Sequence, residues 1–347
     1  MRSLGLRAAI RSVTDRFHAT GHKEPWMPHW HRVPSFSLKR QDFASHFSRI
    51  EQRPISPDRS KGEPDRRIAM MALAREVADA LARDDVETTL ATAHRLAASD
   101  VLNNEVYGLY IDLVAHFSAD AFTAARPRLR RRTVLHLSCQ PRLDRADRSC
   151  ATFDPAMSDD VGQIIVAGDP SSSIYRYDGA RNVLYVPTSD AYEHLPAKMV
   201  SALSFLSWSG VDAMLKVDDD HRLKSADAMA RGFRAMASRR PVQAGVVARF
   251  DALGTFNRTW HYGKCADPAL NARPHTYPMT TRWVNGARGY FMNRWALRLM
   301  MWSGVYFADH IENSLYEDMA LSDLIERQGG RLRSAPMDEV LGTVEGY

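Results

Sequence analysis

Long apolar runs are missing from this sequence. No stretch approaches the roughly 18 to 20 uninterrupted apolar residues that a membrane-spanning helix requires. Residues 1–17 also lack the apolar block and small-residue cleavage site of a secretory signal. Cysteine is scarce: Cys139, Cys150 and Cys265 are odd in number and lack metal-ligand spacing. That excludes a disulfide framework and reads as the reduced, buried thiols of a cytosolic protein. No basic run is interleaved with aromatic residues as in nucleic-acid-binding motifs, so nucleic acid is not an expected partner.

What is present is a chain of 347 residues with a net charge of +5, long enough for a large core. Residues 1–17 carry Leu6, Ile10, Val13 and Phe17 at helical spacing, with Arg2, Arg7, Arg11 and Arg16 elsewhere. A basic amphipathic helix of this kind docks on its own protein or lies on a membrane surface. The expected compartment is therefore the cytoplasm, with peripheral contact on the cytoplasmic face of a membrane as an option. An Arg-rich, acid-poor start also resembles an organelle transit peptide. The stretch to residue 64 is rich in Pro, His, Trp and Arg and reads as an irregular arm.

From Asp65 the pattern changes. Met70, Leu73, Val77, Ala80 and Leu81 share one helix face, Asp84 and Asp85 interrupt it, a second helix runs to about Ala98, and a third spans Leu102 to Phe117. Residues 65–130 are thus expected to form an α-helical subdomain without chemistry of its own. The cluster Arg126, Arg128, Arg130, Arg131 and Arg132 reads as a solvated junction.

Residues 131–347 read as an α/β domain. Strands are expected at Thr133–Cys139, Gln163–Ala167, Asn182–Val186 and Ala213–Val217. A helix between the last two has Pro196 in its first turn and Gly210 at its close. Alternation of strands and helices predicts an open, largely parallel sheet, which binds ligands beyond the carboxyl ends of its strands.

Three aspartates, Asp218, Asp219 and Asp220, follow the fourth strand at that end. Neighbouring carboxylates repel unless a cation offsets them. In an extended chain Asp218 and Asp220 point to one side and Asp219 to the other, so the first and third are candidates to hold Mn²⁺ or Mg²⁺. The same run is equally consistent with a solvated acidic loop.

The flanking residues decide between these readings. Asp190, Tyr192, Leu195 and Lys198 open a helix, and Lys216 precedes the aspartates by one residue. In this order and spacing they resemble the β-1,3-galactosyltransferase and Fringe-like glycosyltransferases. Looser likenesses follow in the same order: Val134 to Cys139 with Arg142, Arg145, Arg148 and Phe153; Tyr277-Pro278; Asn285 to Tyr290; and Tyr316-Glu317-Asp318-Met319. The resemblance covers residues 133–335. His221 stands where the family has an apolar residue, Pro196 interrupts its helix start, and no histidine follows Asp318.

The resemblance implies a GT-A-like fold, a UDP-sugar donor, Mn²⁺ (or Mg²⁺) dependence and inverting transfer to a glycan or glycolipid acceptor. It implies a metal on Asp218 and Asp220, with His221 or water completing the shell, and Asp318 as base beside Glu317. Ser138, Arg142, Asp190, Lys198 and Asp219 are the expected donor contacts; Asn285, Gly286, Gly289 and Tyr290 are the expected acceptor contacts. Trp283, Tyr290, Trp295 and Trp302 are candidates to stack on sugar rings, with at least half of them core. Two rival readings are a metal-dependent phosphohydrolase and a catalytically inactive nucleotide- or glycan-binding module.

Overall fold

The computed structural model describes residues 42–45, 47, 63–99, 104–249, 255–278 and 282–343. The amphipathic helix expected over residues 1–17 and nearly all of the arm lie outside them. Four helices open the described chain: α1 (Glu63–Ala82), α2 (Val86–Ser99), α3 (Asn104–Phe117) and α4 (Ala119–Ala125). The break expected at Asp84 and Asp85 is real. Asp84 adopts φ 64°, which stops α1, and Asp85 Oδ1 accepts from the Thr88 amide at 3.0 Å, capping α2.

These helices do not form a separate body. Phe122 of α4 stacks on Phe205 with ring centroids 4.3 Å apart, and Tyr175 and Trp208 close around the pair. His94 reaches the Gly304 carbonyl at 3.1 Å. The boundary expected near residue 131 therefore falls inside one compact unit spanning residues 33–347.

The centre is an eight-stranded mixed sheet. Its strands are β1 (Arg132–Leu137), β2 (Val161–Gly168), β3 (Arg176–Asp178), β4 (Val183–Val186), β5 (Ala213–Asp218), β7 (Val242–Gly245), β12 (Tyr290–Asn293) and β13 (Arg331–Ser334), in the order β13-β7-β12-β5-β1-β2-β4-β3. All four expected strands are present. The β5-β1-β2-β4 run is parallel, as alternation with α5 (Leu143–Phe153) and α6 (Leu195–Trp208) requires. Beyond it β12 is antiparallel to both β5 and β7, which the sequence pattern did not announce. Helices cover the sheet, and Phe153, Leu215, Val217, Phe233 and Phe291 are buried in a core between β1, β5 and α7 (Ala226–Ala235).

The arginine cluster is a junction, as expected. Arg131 pairs with Asp212 and Arg132 with Asp160, each at 2.8 Å, at the amino end of the central strands. A cavity of about 730 Å³ opens there, lined by Arg131, Asp212, Arg234 and Arg294 among others. It lies at the opposite end of the strands from the aspartate run. No helix among the described residues is long and apolar enough to cross a membrane.

Candidate functional site

The site forms where β1, β2 and β5 end. Register pairs Leu137 with Asp218, so the residues that follow, Ser138 and Asp219, emerge side by side. Ser138 Oγ donates to Asp219 Oδ2 at 3.0 Å. The aspartates do not continue an extended strand: β5 stops at Asp218, Asp219 and Asp220 make a turn, and β6 (His221–Leu223) leaves antiparallel to β14 (Leu341–Thr343). The turn keeps the expected division. Asp218 and Asp220 lie with His221 so that one ligand atom from each falls within 4.8 Å of the others, whereas Asp219 turns inward toward Ser138.

Protein cations offset much of the repulsion within the trio. Arg145, from α5, places Nη2 2.8 Å from Asp220 and Nε 3.3 Å from Asp219. Burial pushes the Asp219 carboxyl upward in pKa, against the pull of Ser138 and Arg145. Lys216, on β5, is only 2% exposed and reaches Asp218 at 2.7 Å and Glu317 at 3.4 Å. Its ammonium also donates to the Gly286 carbonyl at 3.0 Å. Burial opposes this charge, yet Asp218 and Glu317 together hold Lys216 above the ordinary lysine pKa. One buried ammonium thus joins the aspartate turn to the Glu-Asp pair.

That pair opens α9 (Glu317–Arg327). Asp318 Oδ2 accepts from the Gly286 amide and Oδ1 from the Met319 amide, both at 2.8 Å. Burial and the neighbouring Glu317 carboxylate raise Asp318 to about 7, although the two amides and Lys216 favour its anion. A carboxylate poised there exchanges protons at neutral pH.

The glycine-containing loop is built to admit this pair. Asn285 accepts from the Ala287 amide and so shapes the turn. A side chain at Gly286 would meet Glu317 Oε1 at 2.5 Å and Asp318 Cβ at 2.9 Å. Gly289 has φ 71°, and its Cα side faces the Lys216 carbonyl. These residues position the carboxylates through the backbone.

Several expected contacts take other roles. Tyr290 is fully buried, with its ring 5.7 Å from Lys216 Nζ, so it is a wall of the site and cannot contact an acceptor. Its strand, β12, is buried on both faces. Trp283 and Trp302 are likewise buried. Lys198, 2% exposed, spends its ammonium on the Ser138 carbonyl and Asp190, both at 2.8 Å. Asp190 also accepts from the amides of Gly168 and Gln140. Lys198 and Asp190, two of the five expected donor contacts, therefore tie the ends of β1 and β2 to the start of α6. Arg142 is exposed in the turn before α5.

His221 is committed within the protein. Its Nδ1 accepts from the Asp218 amide at 2.8 Å, which leaves the proton on Nε2 to donate to the Ala287 carbonyl at 3.2 Å. Burial lowers its pKa and favours that neutral form. A metal on His221 would have to displace one of these bonds, whereas Asp218 and Asp220 each hold a cation through one oxygen and keep the second for a metal.

Sequence reasoning named Lys216 and Arg145 only as parts of the resemblance, without these roles, and missed Trp260. The buried bridge of Lys216 and the clamp of Arg145 depend on contacts between distant segments. Trp260, 45% exposed, rests on Tyr316 immediately before the Glu-Asp pair, with ring centroids 5.3 Å apart. No family model matches the chain, and no curated protein matches it.

Proposed function

We propose that this protein is an inverting glycosyltransferase that moves a sugar from a UDP-sugar to a hydroxyl of a glycan or glycolipid acceptor. The observation that carries the reading is the convergence of two acidic groups with different environments on Lys216. Asp218 and Asp220 are partly exposed and suited to a cation, while Asp318 has its pKa raised to about 7 and is suited to a proton. The motif order from Asp190 to Asp318 and the parallel β5-β1-β2-β4 core support a GT-A-like fold.

In this mechanism the acceptor hydroxyl attacks the anomeric carbon of the donor while the bond to the diphosphate oxygen breaks. The electron pair leaves with UDP, and Asp318 takes the hydroxyl proton. Asp218 and Asp220 would hold Mn²⁺ or Mg²⁺, whose charge offsets that developing on the diphosphate. Arg145 braces Asp219 and Asp220, and Lys216 places one buried ammonium against both Asp218 and Glu317. Ser138 and Asp219 line the donor side at the end of β1. Asn285, Gly286 and Gly289 fix Asp318 at its margin.

The test is release of UDP from a panel of UDP-hexoses with and without Mn²⁺. Metal-dependent release is expected. Folded protein that releases UDP from none of them, but hydrolyses simple phosphate esters, would replace this reading with the phosphohydrolase.

A further inference from the structure

Among the described residues only three large apolar side chains are well exposed: Ile68, Trp260 at 45% and Tyr262 at 41%. Two of them stand two residues apart in one loop, between β9 (Thr255–Arg258) and α8 (Pro268–Asn271). The loop is anchored from below. His261, fully buried between them, takes the Tyr316 hydroxyl on Nδ1 at 2.7 Å. Its Nε2 donates to the carbonyls of Leu270 at 2.9 Å and Arg273 at 3.1 Å. Two carbonyl partners fix the tautomer, so the imidazole is a permanent clamp. Trp260 lies against Tyr316 and Trp283, whose strand, β11 (Arg282–Val284), leads into the Gly286 loop that holds Asp318. The shelf is therefore pinned at His261 and continuous, through Tyr316, with the Glu-Asp pair. Fixed, exposed aromatic rings beside a site mark a binding surface.

Three cations, Arg258, Lys264 and Arg273, border the shelf against two carboxylates, Glu193 and Asp267. The Arg258 guanidinium lies 5.3 Å from the Trp260 ring centroid, and Lys264 lies 5.4 Å from that of Tyr192. Arg273 and His275 line a cavity of about 320 Å³ beside His261. The nearby carboxylates are occupied with backbone: Glu193 accepts from the amides of Ala266 and Asp267, and Asp267 caps α8 at Ala269. Among the described residues no carboxylate lies within 4.0 Å of Lys264 or Arg273. Aromatic faces suit the C–H face of a pyranose, and arginine suits a carboxylate or phosphate.

We infer that this shelf binds an anionic saccharide, with a sugar ring on Trp260 and its carboxylate or phosphate taken by Arg273. Resting on the glycosyltransferase reading, it makes the acceptor an acidic glycan. The experiment is saturation-transfer NMR on the full chain with trigalacturonate, mannose 6-phosphate and neutral maltotriose. At least one anionic saccharide is expected to bind ten-fold or more tighter than maltotriose, and the two anionic arms separate carboxylate from phosphate recognition. Trp260→Ala and Arg273→Ala should each weaken that binding about ten-fold, with Trp260→Phe retaining most of it. Both side chains are exposed, and circular dichroism verifies the fold of each variant. Equal binding of maltotriose, or anionic binding unchanged in both alanine variants, overturns the inference. Anionic binding without any turnover of UDP-sugars defeats the transferase reading alone; turnover with neutral saccharides only defeats the acidic acceptor alone.

Discussion

The amide of Gly286 donates to Oδ2 of Asp318 at 2.8 Å, and the space that permits this approach is the space a side chain would fill. Gly286→Ala would place a methyl 2.5 Å from Glu317 Oε1 and push the pair outward. A displacement approaching 1 Å costs on the order of 100-fold in rate. We expect that loss in UDP-sugar turnover with a melting temperature lowered by only a few degrees; undiminished turnover contradicts the placement of Asp318.

Asp318, raised to about 7, must be ionised to accept a proton. Turnover should therefore rise with pH through about 7 and level off above it. Asp318→Asn should remove that rise together with roughly 10²- to 10⁴-fold of the rate. A pH-rate profile of the variant that keeps the wild-type inflection assigns the base elsewhere.

Asp220 is the more exposed of the two candidate metal ligands and also holds Arg145 at 2.8 Å. Asp220→Ala should shift the Mn²⁺ concentration for half-maximal activity upward by at least ten-fold. The check is an Mn²⁺ titration of turnover, with Arg145→Lys as a comparison that keeps both carboxylates. The same half-maximal concentration in wild type and Asp220→Ala rules Asp220 out as a ligand.

Lys216→Met would leave Asp218 and Glu317 without their shared counter-charge. Removing one partner of a buried ion pair costs about 3–5 kcal/mol. Urea unfolding should show a loss of that order. Unchanged stability would mean that water, rather than Lys216, balances these acids.

The Tyr290 hydroxyl is buried and has no hydrogen-bond partner among the described residues. Tyr290→Phe should leave stability unchanged or raise it by up to about 1 kcal/mol, because an unpaired buried hydroxyl is costly. Saccharide binding by NMR should be unaffected. A weakened acceptor in this variant would restore Tyr290 to the binding surface.

Much of the frame was legible in the sequence because parallel strands buried on both faces are largely apolar runs, as in Ile164 to Ala167 and, broken only by His136, Val134 to Leu137. Position after such a strand also located the aspartate turn. The strand β12 was not legible: Tyr290 to Asn293 is four residues long, follows a left-handed glycine, and pairs with partners about 45 and 75 residues earlier in the chain. Lys198 and Lys216 illustrate a second limit. A lysine in a sequence looks solvated, and only the fold shows that each is sealed among acids and carbonyls. The partners of His261 and His310, Tyr316 and Asp323, reach them only through tertiary packing.

The stacked rings of Phe122 and Phe205 bear on how the protein can be dissected. A fragment begun at Arg131 would keep every acidic group of the cleft but would turn the faces of Phe205, Tyr175 and Trp208 out to water. Sticky, self-associating material is the expected product, so the leading helices are the missing wall of the α/β half rather than a detachable appendage.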